Sequence, residues 1–307
     1  MDESVKLSDA ATLSEATDDA TKLHQLRQNK QALRKLIRSR IKSVYPTKNN
    51  TNTIASQTLL LSNSNQVFSR LFELPQYKHA KSIGFFLSMP SGEIQTKHAI
   101  QQIVKDGKVL YVPRVGLDFE LCDMDLIRCD TSSCTATVDD AICGDSGVGS
   151  TANADDGGTM FYDSWPRNKW GIPEPPLTTT NVAKPGDIDL LIVPGLAFDT
   201  NGHRLGQGKG YYDRFIAKMR DGESNNDIDN IDDAVATNGQ TGVNSAAKPL
   251  LVGVCLEEQF LDELPHGVDF GDGCDSANGI VPVSDHDYIM DIVLIPSRAL
   301  ILRNVHL

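Results

Sequence analysis

Three glycines at alternate positions, Gly206, Gly208 and Gly210, are the residues of this sequence best suited to hold an anion. Glycine has no Cβ, so backbone amides in such a run can approach a ligand closely. A helix is predicted to follow, and its first N–H groups have no partners within the helix and attract negative charge. The run lacks the Lys-Ser/Thr of a Walker A loop and the spacing of a dinucleotide fingerprint. On spacing alone, a phosphate-binding loop and a plain flexible loop remain about equally favoured.

The residues around these glycines favour phosphate binding. Arg204 and Lys209 are cations, Asp213 is a carboxylate able to reach a metal ion, and Tyr211 and Tyr212 offer aromatic faces. Arginine and lysine hold phosphate through charge-assisted hydrogen bonds, and carboxylate oxygens are ligands for Mg²⁺. Residues 204–213 therefore contain the parts of a site for a metal–nucleotide complex.

The same segment, RLGQGKGYYD, resembles the signature of the 5-formyltetrahydrofolate cyclo-ligase family, also called 5,10-methenyltetrahydrofolate synthetases. Six further blocks resemble that family in the same order and cover the body of the chain. They are KQALR at 30–34, FFLSMPSGEI at 85–94, VPR at 112–114, WGIPEP at 170–175, VPGLAFD at 193–199 and VPVSDHDYIMDIVL at 281–294.

The resemblance implies an ATP- and Mg²⁺-dependent ring closure of 5-formyltetrahydrofolate, a small-molecule substrate that can carry a polyglutamate tail. The formyl oxygen is a poor leaving group, and phosphorylation by ATP converts it into phosphate. The para-aminobenzoyl nitrogen would then attack the imidoyl phosphate, which releases 5,10-methenyltetrahydrofolate, ADP and phosphate. The protein would contribute positioning and charge stabilisation.

The resemblance also assigns ATP to two segments. Arg34 is expected near the transferred phosphoryl group and the formyl oxygen, and Lys209 is expected to balance charge between the phosphates. Arg34, Lys209 and Tyr211 are the expected catalytic residues. The full ATP-binding set is Lys30, Gln31, Ala32, Leu33, Arg34, Arg204, Leu205, Gly206, Gln207, Gly208, Lys209, Gly210, Tyr211 and Tyr212.

Folate contacts and metal ligands follow from the same resemblance. Glu93 is suited to accept hydrogen bonds from the pterin ring, and Trp170 and Tyr211 are candidates for stacking on an aromatic ring. Asp213 and Asp291 match the magnesium ligands. The full folate set is Leu87, Glu93, Trp170, Gln207, Gly208, Lys209, Gly210 and Tyr211.

Simpler interpretations of three of these residues stay open at this stage. Glu93 could be a solvated loop carboxylate, Asp291 an ordinary carboxylate at a strand edge, and Trp170 part of the core. Gln207 stands where the resemblance gives many members arginine or another residue, and the loss of a cation there could weaken affinity for phosphate or for the glutamyl tail. Two other functions compete with the cyclo-ligase: another ATP-dependent ligase or kinase, and a catalytically quiet folate-binding protein.

The elements that must position these residues follow from periodicity. Apolar residues from Leu33 to Val44 recur at helical spacing, and Lys30, Arg34 and Arg38 share another face, which without the family match would be interpreted as solvated. We predict helices at 63–74 and 94–105, and buried strands at 81–88, 109–115, 188–194, 250–256 and 290–295.

This alternation predicts an α/β fold of three αβα layers with a mainly parallel sheet. The family resemblance narrows it to a fold similar to the sugar-phosphate isomerase and CoA-transferase group. Ligands in such sheets bind beyond the carboxyl ends of strands, where the loops 88–93 and 195–210 are expected.

We predict a single domain at 23–307, a disordered tail at 1–22, and disordered acidic insertions at about 130–164 and 220–248. The two insertions account for nearly all of the net charge of −12, so the acidity does not argue against binding a polyanion. Both are rich in small polar residues and poor in large apolar ones.

Other features of the composition indicate the cellular compartment of the protein and the kinds of partner that it binds. The six cysteines form neither a Cys-x-x-Cys pair nor a zinc pattern, no run of 18 apolar residues occurs, and the first twenty residues contain no arginine. We therefore expect a cytoplasmic protein with free thiols. We also expect a monomer that binds neither nucleic acid nor membranes.

Overall fold

The computed structural model describes residues 3–46, 53–90, 92–115, 123–131, 160–221, 247–265, 280–284 and 286–303, with side chains from residue 20 onwards. Five α-helices and ten β-strands lie in these ranges. The helices are α1 (Glu3–Val44), α2 (Thr53–Glu73), α3 (Pro75–His79), α4 (Lys97–Lys105) and α5 (Tyr211–Asp221). Among the described residues, no helix combines the length and the apolar character that crossing a membrane requires.

Seven strands form the central sheet, in the order β10-β9-β7-β4-β1-β2-β3. The five inner strands are parallel to their neighbours, and the two edge strands, β3 and β10, are antiparallel. The chain runs outward from β1 in both directions, so the strand order reverses between β1 and β4. The strands are β1 (Ser82–Gly84), β2 (Val109–Val115), β3 (Met124–Arg128), β4 (Leu190–Pro194), β7 (Leu250–Val254), β9 (Ile292–Leu294) and β10 (Ala299–Ile301).

Helices cover both faces of this sheet, which confirms the predicted αβα layers. Alternate residues of β4 divide between the faces: Leu190 and Ile192 lie in the cluster with α2 and α4, and Leu191 and Val193 in the cluster with α5. This period of two is the geometry of a strand buried on both sides.

A three-stranded sheet lies beside the main one, with order β6-β5-β8. Its strands are β5 (Ala197–Asp199), β6 (Arg204–Leu205) and β8 (Phe260–Leu261). The apolar face of α1, which includes Leu33, Ile37 and Ile41, packs in one cluster with Ala197 and Leu205. This contact places the basic face of α1 next to the glycine-rich loop that follows β6.

The structure differs from the predicted organisation at three boundaries. Helix α1 begins at Glu3 rather than after a tail at 1–22, and no proline or glycine between residues 3 and 44 interrupts it. Met160 and Tyr162, which we had included in the first insertion, are only 4% and 8% exposed and belong to the core. Helix α5 extends two residues into the second insertion, to Asp221. The rest of both insertions, 132–159 and 222–246, lies outside the described residues.

Candidate active site

A cleft of about 790 Å³ opens at the carboxyl edge of the sheet, between the ends of β1 and β4. Phe86 and Leu87 follow β1 in the chain, and Gly195 and Leu196 follow β4. This is the point at which the strand order reverses, where open α/β sheets place their ligands. The other described walls come from α1, the segment 168–174 and the glycine-rich loop 206–210.

The glycine-rich loop needs glycine for conformational and steric reasons. Gly208 and Gly210 have φ of +106° and +72°, a region that L-residues avoid. A Cβ on Gly206 would lie 3.1 Å from Nη1 of Arg204. Helix α5 begins immediately afterwards, at Tyr211, so its free N–H groups and the loop form one anion-attracting surface.

Two arginines of α1 contact this loop directly. Arg34 Nε donates a hydrogen bond to the Gly206 carbonyl at 3.0 Å, and Arg38 Nη2 donates one to Gln207 Oε1 at 2.8 Å. The pKa of Arg34 is lowered by its partial burial and then by the charge of Arg38, which outweigh the opposing effect of Asp287. The basic face of α1 is therefore part of the site. A solvated surface, the alternative interpretation of this face, does not describe half-buried Arg34, whereas Arg38 is exposed and still contacts the loop.

An ion pair between Arg204 and Asp213 lies next to the glycine-rich loop and stabilises it. Arg204 is 6% exposed, and its Nη2 donates to Asp213 Oδ1 at 2.5 Å while its Nη1 donates to the Pro194 carbonyl at 3.3 Å. The guanidinium lies 5.7 Å from the centre of the Tyr212 ring. Arg204 thus ties together the end of β4, the glycine-rich loop and the first turn of α5.

The first segment assigned to ATP, residues 30–34, makes fewer contacts with the glycine-rich loop than expected. Lys30 Nζ is bound to Asp287 Oδ2 at 2.6 Å, Gln31 and Ala32 are exposed, and Leu33 is fully buried in the core. Positions four residues apart share a helix face, whereas consecutive positions do not. In the described structure Arg34 is therefore the residue of this segment that contacts the loop, and the assignment of Gln31, Ala32 and Leu33 to ATP stays a prediction.

The opposite wall carries a carboxyl group with an altered acidity. Glu93 lines the cleft, and its Oε2 accepts a hydrogen bond from the Met89 N–H at 2.8 Å. Burial raises the pKa of Glu93 to about 7, and the bond from Met89 opposes this shift. Burial and the nearby Glu93 charge raise the pKa of Tyr212, with Arg204 acting in the opposite direction. Glu93 is therefore not the fully solvated carboxylate of the simpler interpretation.

Apolar and aromatic surface lies next to Glu93. Leu87 is 5% exposed, and Leu87, Trp170, Tyr211 and Tyr212 all line the cleft. Trp170 is 37% exposed and is therefore not a core residue. Lys169 Nζ lies 4.5 Å from the centre of the Trp170 ring. The cleft thus joins a cationic, glycine-rich wall to an apolar wall that presents one carboxyl group.

The two aspartates expected to bind magnesium lie at different places. Asp291 precedes β9, at the amino edge of the sheet, and is 2% exposed. Its Oδ2 accepts hydrogen bonds from Arg220 Nη2 at 2.8 Å and the Leu251 N–H at 2.9 Å. Arg220 and Asp213 are near opposite ends of α5, about 10 Å apart along its axis. In the described structure Asp213 is bonded to Arg204 and Asp291 to Arg220, and the binding of magnesium by this pair stays a prediction. No cluster of three potential metal-ligating side chains occurs within the described ranges.

Comparison with known proteins identifies the family. The model of the 5-formyltetrahydrofolate cyclo-ligase family matches residues 26–241. The chain belongs to this family. It is 26% identical to a Schizosaccharomyces pombe protein named "Probable 5-formyltetrahydrofolate cyclo-ligase", over 80% of this chain and 88% of that one. It is 23% identical to the 5-formyltetrahydrofolate cyclo-ligase of Saccharomyces cerevisiae, over 86% and 95%. The NMR structure of Aquifex aeolicus 5,10-methenyltetrahydrofolate synthetase is similar with a TM-score of 0.49, 22% identity and coverage of 91% and 95%.

Several residues of the cleft were not singled out from the sequence of this family member. Lys42 continues the basic stripe of α1 along the cleft beyond Arg38, and Tyr45, the residue after the helix, accepts a hydrogen bond from Asn63 Nδ2 at 2.7 Å. The spacing of four residues from Arg38 was the signal that could have found Lys42. Lys169 and Glu174 also line the cleft, and nothing in their spacing indicated it.

Proposed function

We propose that this protein converts 5-formyltetrahydrofolate to 5,10-methenyltetrahydrofolate with consumption of ATP. Family membership supports the reaction. The observation that carries the proposal is that one cleft joins the glycine-rich loop, which Arg34 contacts, to an apolar wall that bears Glu93. A phosphoryl donor and a flat, largely apolar acceptor with hydrogen-bond donors require these two kinds of surface side by side.

The first chemical step in this proposal is phosphoryl transfer. The formyl oxygen attacks the γ-phosphorus of ATP, the bond to the β-phosphate oxygen breaks, and ADP leaves. Loop amides, Lys209 and the N-terminus of α5 would hold the phosphates. Arg34 has donors beyond the one bonded to the Gly206 carbonyl, and its partial burial strengthens its attraction for the charge that develops on the transferred group.

The second step closes the ring. The para-aminobenzoyl nitrogen attacks the formyl carbon, the former formyl oxygen leaves as part of inorganic phosphate, and the nitrogen loses its proton. Glu93 would fix the pterin through its N–H donors, with Leu87, Trp170 and Tyr211 against the rings. Exclusion of water by this apolar wall would protect the reactive phosphorylated intermediate from hydrolysis.

The proposal also includes a magnesium ion that binds together with ATP. It would neutralise charge on the phosphates. Because Asp213 Oδ1 is bonded to Arg204 and Asp291 lies elsewhere, the described side chains would offer the ion the second oxygen of Asp213, with phosphate oxygens as its main ligands. Asp213 thereby also keeps its observed role of orienting Arg204.

We also propose a monomer that works in the cytoplasm. Cys129 and Cys255 are free thiols, as is usual in a reducing compartment.

The decisive assay mixes purified protein with 5-formyltetrahydrofolate, ATP and Mg²⁺ and follows the absorbance of the methenyl product together with free phosphate. We expect both to rise in a ratio of one to one, and excess chelator to stop both. A phosphorylated folate without free phosphate would indicate a kinase. Folate binding without phosphate release would indicate a quiet binding protein, and either result would refute the proposal.

A further inference from the structure

We infer that Arg38 supplies the cation that the glycine-rich loop lacks at Gln207, and that it binds an anionic group of a ligand in the cleft. The identity of the ligands rests on the proposed function. The binding role of Arg38 rests on its own geometry.

Arg38 is placed to replace a cation of the loop. It lies one helical turn after Arg34, about 6 Å further along α1, and it lines the cleft. Its Nη2 donates to Gln207 Oε1 at 2.8 Å. The guanidinium of Arg38 thus meets the tip of the Gln207 side chain, where the loop itself has no cation.

The bond to Gln207 leaves most of the binding capacity of Arg38 available. A guanidinium has five N–H donors, and the bond to Gln207 uses one of them with a neutral acceptor. Gln207 therefore orients Arg38 without neutralising its charge. Arg34 lies close enough for the two positive charges to repel each other, because Arg38 contributes to lowering the pKa of Arg34. A bound anion would relieve this repulsion.

The charges around the cleft also favour an anion. Five of the lining residues are lysine or arginine and three are acidic. Among the acids, Asp213 is bonded to Arg204, and Glu174 Oε1 accepts hydrogen bonds from Asn168 and the Val115 N–H. Lys42, one turn beyond Arg38 on the same face of α1, extends the cationic surface away from Arg34.

The anionic group is a phosphate or a carboxylate, and the proposed reaction provides both. ATP carries phosphates, and the folate carries the carboxylates of its glutamyl tail. Arginine binds each through paired, charge-assisted hydrogen bonds. The two sources can be separated by measuring equilibrium binding of each ligand alone, which does not require turnover.

The test compares Arg38→Met with Lys35→Met. Lys35 is an exposed cation of the same helix and does not line the described cleft. We expect Arg38→Met to lower the affinity for one ligand about tenfold, because one charge-assisted contact is lost. The affinity of the variant for that ligand should also depend less steeply on salt concentration. Calorimetric titration would use ATP, 5-formyltetrahydrofolate and its triglutamate. A loss of affinity for ATP alone identifies phosphate as the group that Arg38 binds. A loss of affinity for the folates alone identifies a carboxylate.

A second variant separates binding from a structural role. In Arg38→Gln/Gln207→Arg the two residues are exchanged, so the cation sits on the loop and the amide on α1. We expect this exchange to restore affinity to within about threefold of the parent, which a merely structural contact would not require. The inference is wrong if Arg38→Met binds every ligand as tightly as Lys35→Met does, or if the exchange leaves affinity as low as in Arg38→Met. If the parent binds ATP but makes no methenyl product, the proposed function fails while the binding result for Arg38 still stands.

Discussion

Replacing Glu93 by glutamine should stabilise the ligand-free protein at alkaline pH and leave its stability unchanged at low pH. The pKa of this carboxyl is raised from 4.5 to about 7, chiefly by burial. The folded state therefore holds the proton more tightly than the unfolded state does. The contribution of this tighter proton binding to the free energy of unfolding is complete below pH 4.5, and it is lost as the pH rises towards 7. Glutamine has no proton to lose, and its amide oxygen can still accept the hydrogen bond from Met89.

The magnitude follows from the size of the shift. Each pKa unit corresponds to about 1.4 kcal/mol, which sets a limit of roughly 3 kcal/mol for Glu93. Because the side chain lines an open cleft and is partly exposed, water reduces this value, and we expect about 1–2 kcal/mol. Most of the difference should develop between pH 5 and pH 8.

Urea unfolding at pH 5, 6, 7 and 8, followed by tryptophan fluorescence, measures the difference directly. Glu73→Gln is the matched control, because Glu73 is an exposed carboxylate on α2. We expect the free energy of unfolding of Glu93→Gln to exceed that of the parent clearly at pH 8 and by only about a quarter of that difference at pH 5. A difference that does not change with pH, or a less stable variant at pH 8, would refute the reasoning. The same variant should bind folate more weakly at pH 8, because an ionised carboxylate is the stronger acceptor for the pterin donors.

Three further predictions concern the other parts of the site and the insertions. Arg34→Ala should lower kcat by about a hundredfold or more with little change in the Michaelis constant for folate, whereas Lys35→Ala should match the parent; a pure effect on the Michaelis constant would contradict the assigned role. Asp291→Asn should reduce the free energy of unfolding by roughly 3 kcal/mol, because it breaks the buried pair with Arg220. The magnesium titration of that variant's activity should be unchanged, and a raised magnesium requirement would show that Asp291 binds the ion. Deleting residues 133–158 should leave activity within a few-fold and stability within about 1 kcal/mol, since such a loop contributes mainly closure entropy; inactive but folded protein would contradict this.

The layered α/β fold could be predicted because its signals are local. Strand β2 has the predicted bounds of 109–115, and β4, β7 and β9 lie within the predicted runs. Each is a short apolar run, as expected for strands covered on both faces. The edge strands β3 and β10 were missed, because one is partly polar and the other is half exposed and has no comparable apolar run. The pairing of edge strands depends on the neighbour that is available, which a single segment does not encode.

The candidate site was predictable where its residues are consecutive. The glycine-rich loop and the start of α5 are a single run of sequence, so their anion-binding character follows from residue type and spacing alone. Contacts between distant segments were not predictable in this way. Lys30 turned out to be paired with Asp287, and Arg38 with Gln207, across separations of 257 and 169 residues.

The sequence by itself determined the kind of fold, the phosphate-binding loop and the family, because these depend on local patterns and on motifs in a fixed order. The tertiary structure decided which of the matching residues meet. Asp213 and Asp291 look like equivalent carboxylates in the sequence, but the parallel strands place one beside the carboxyl edge of the sheet and the other at its amino edge. Glu93 looks like an ordinary loop carboxylate, and only its burial raises its pKa to about 7. Distance and desolvation are properties of the folded chain, and no local pattern of residues contains them.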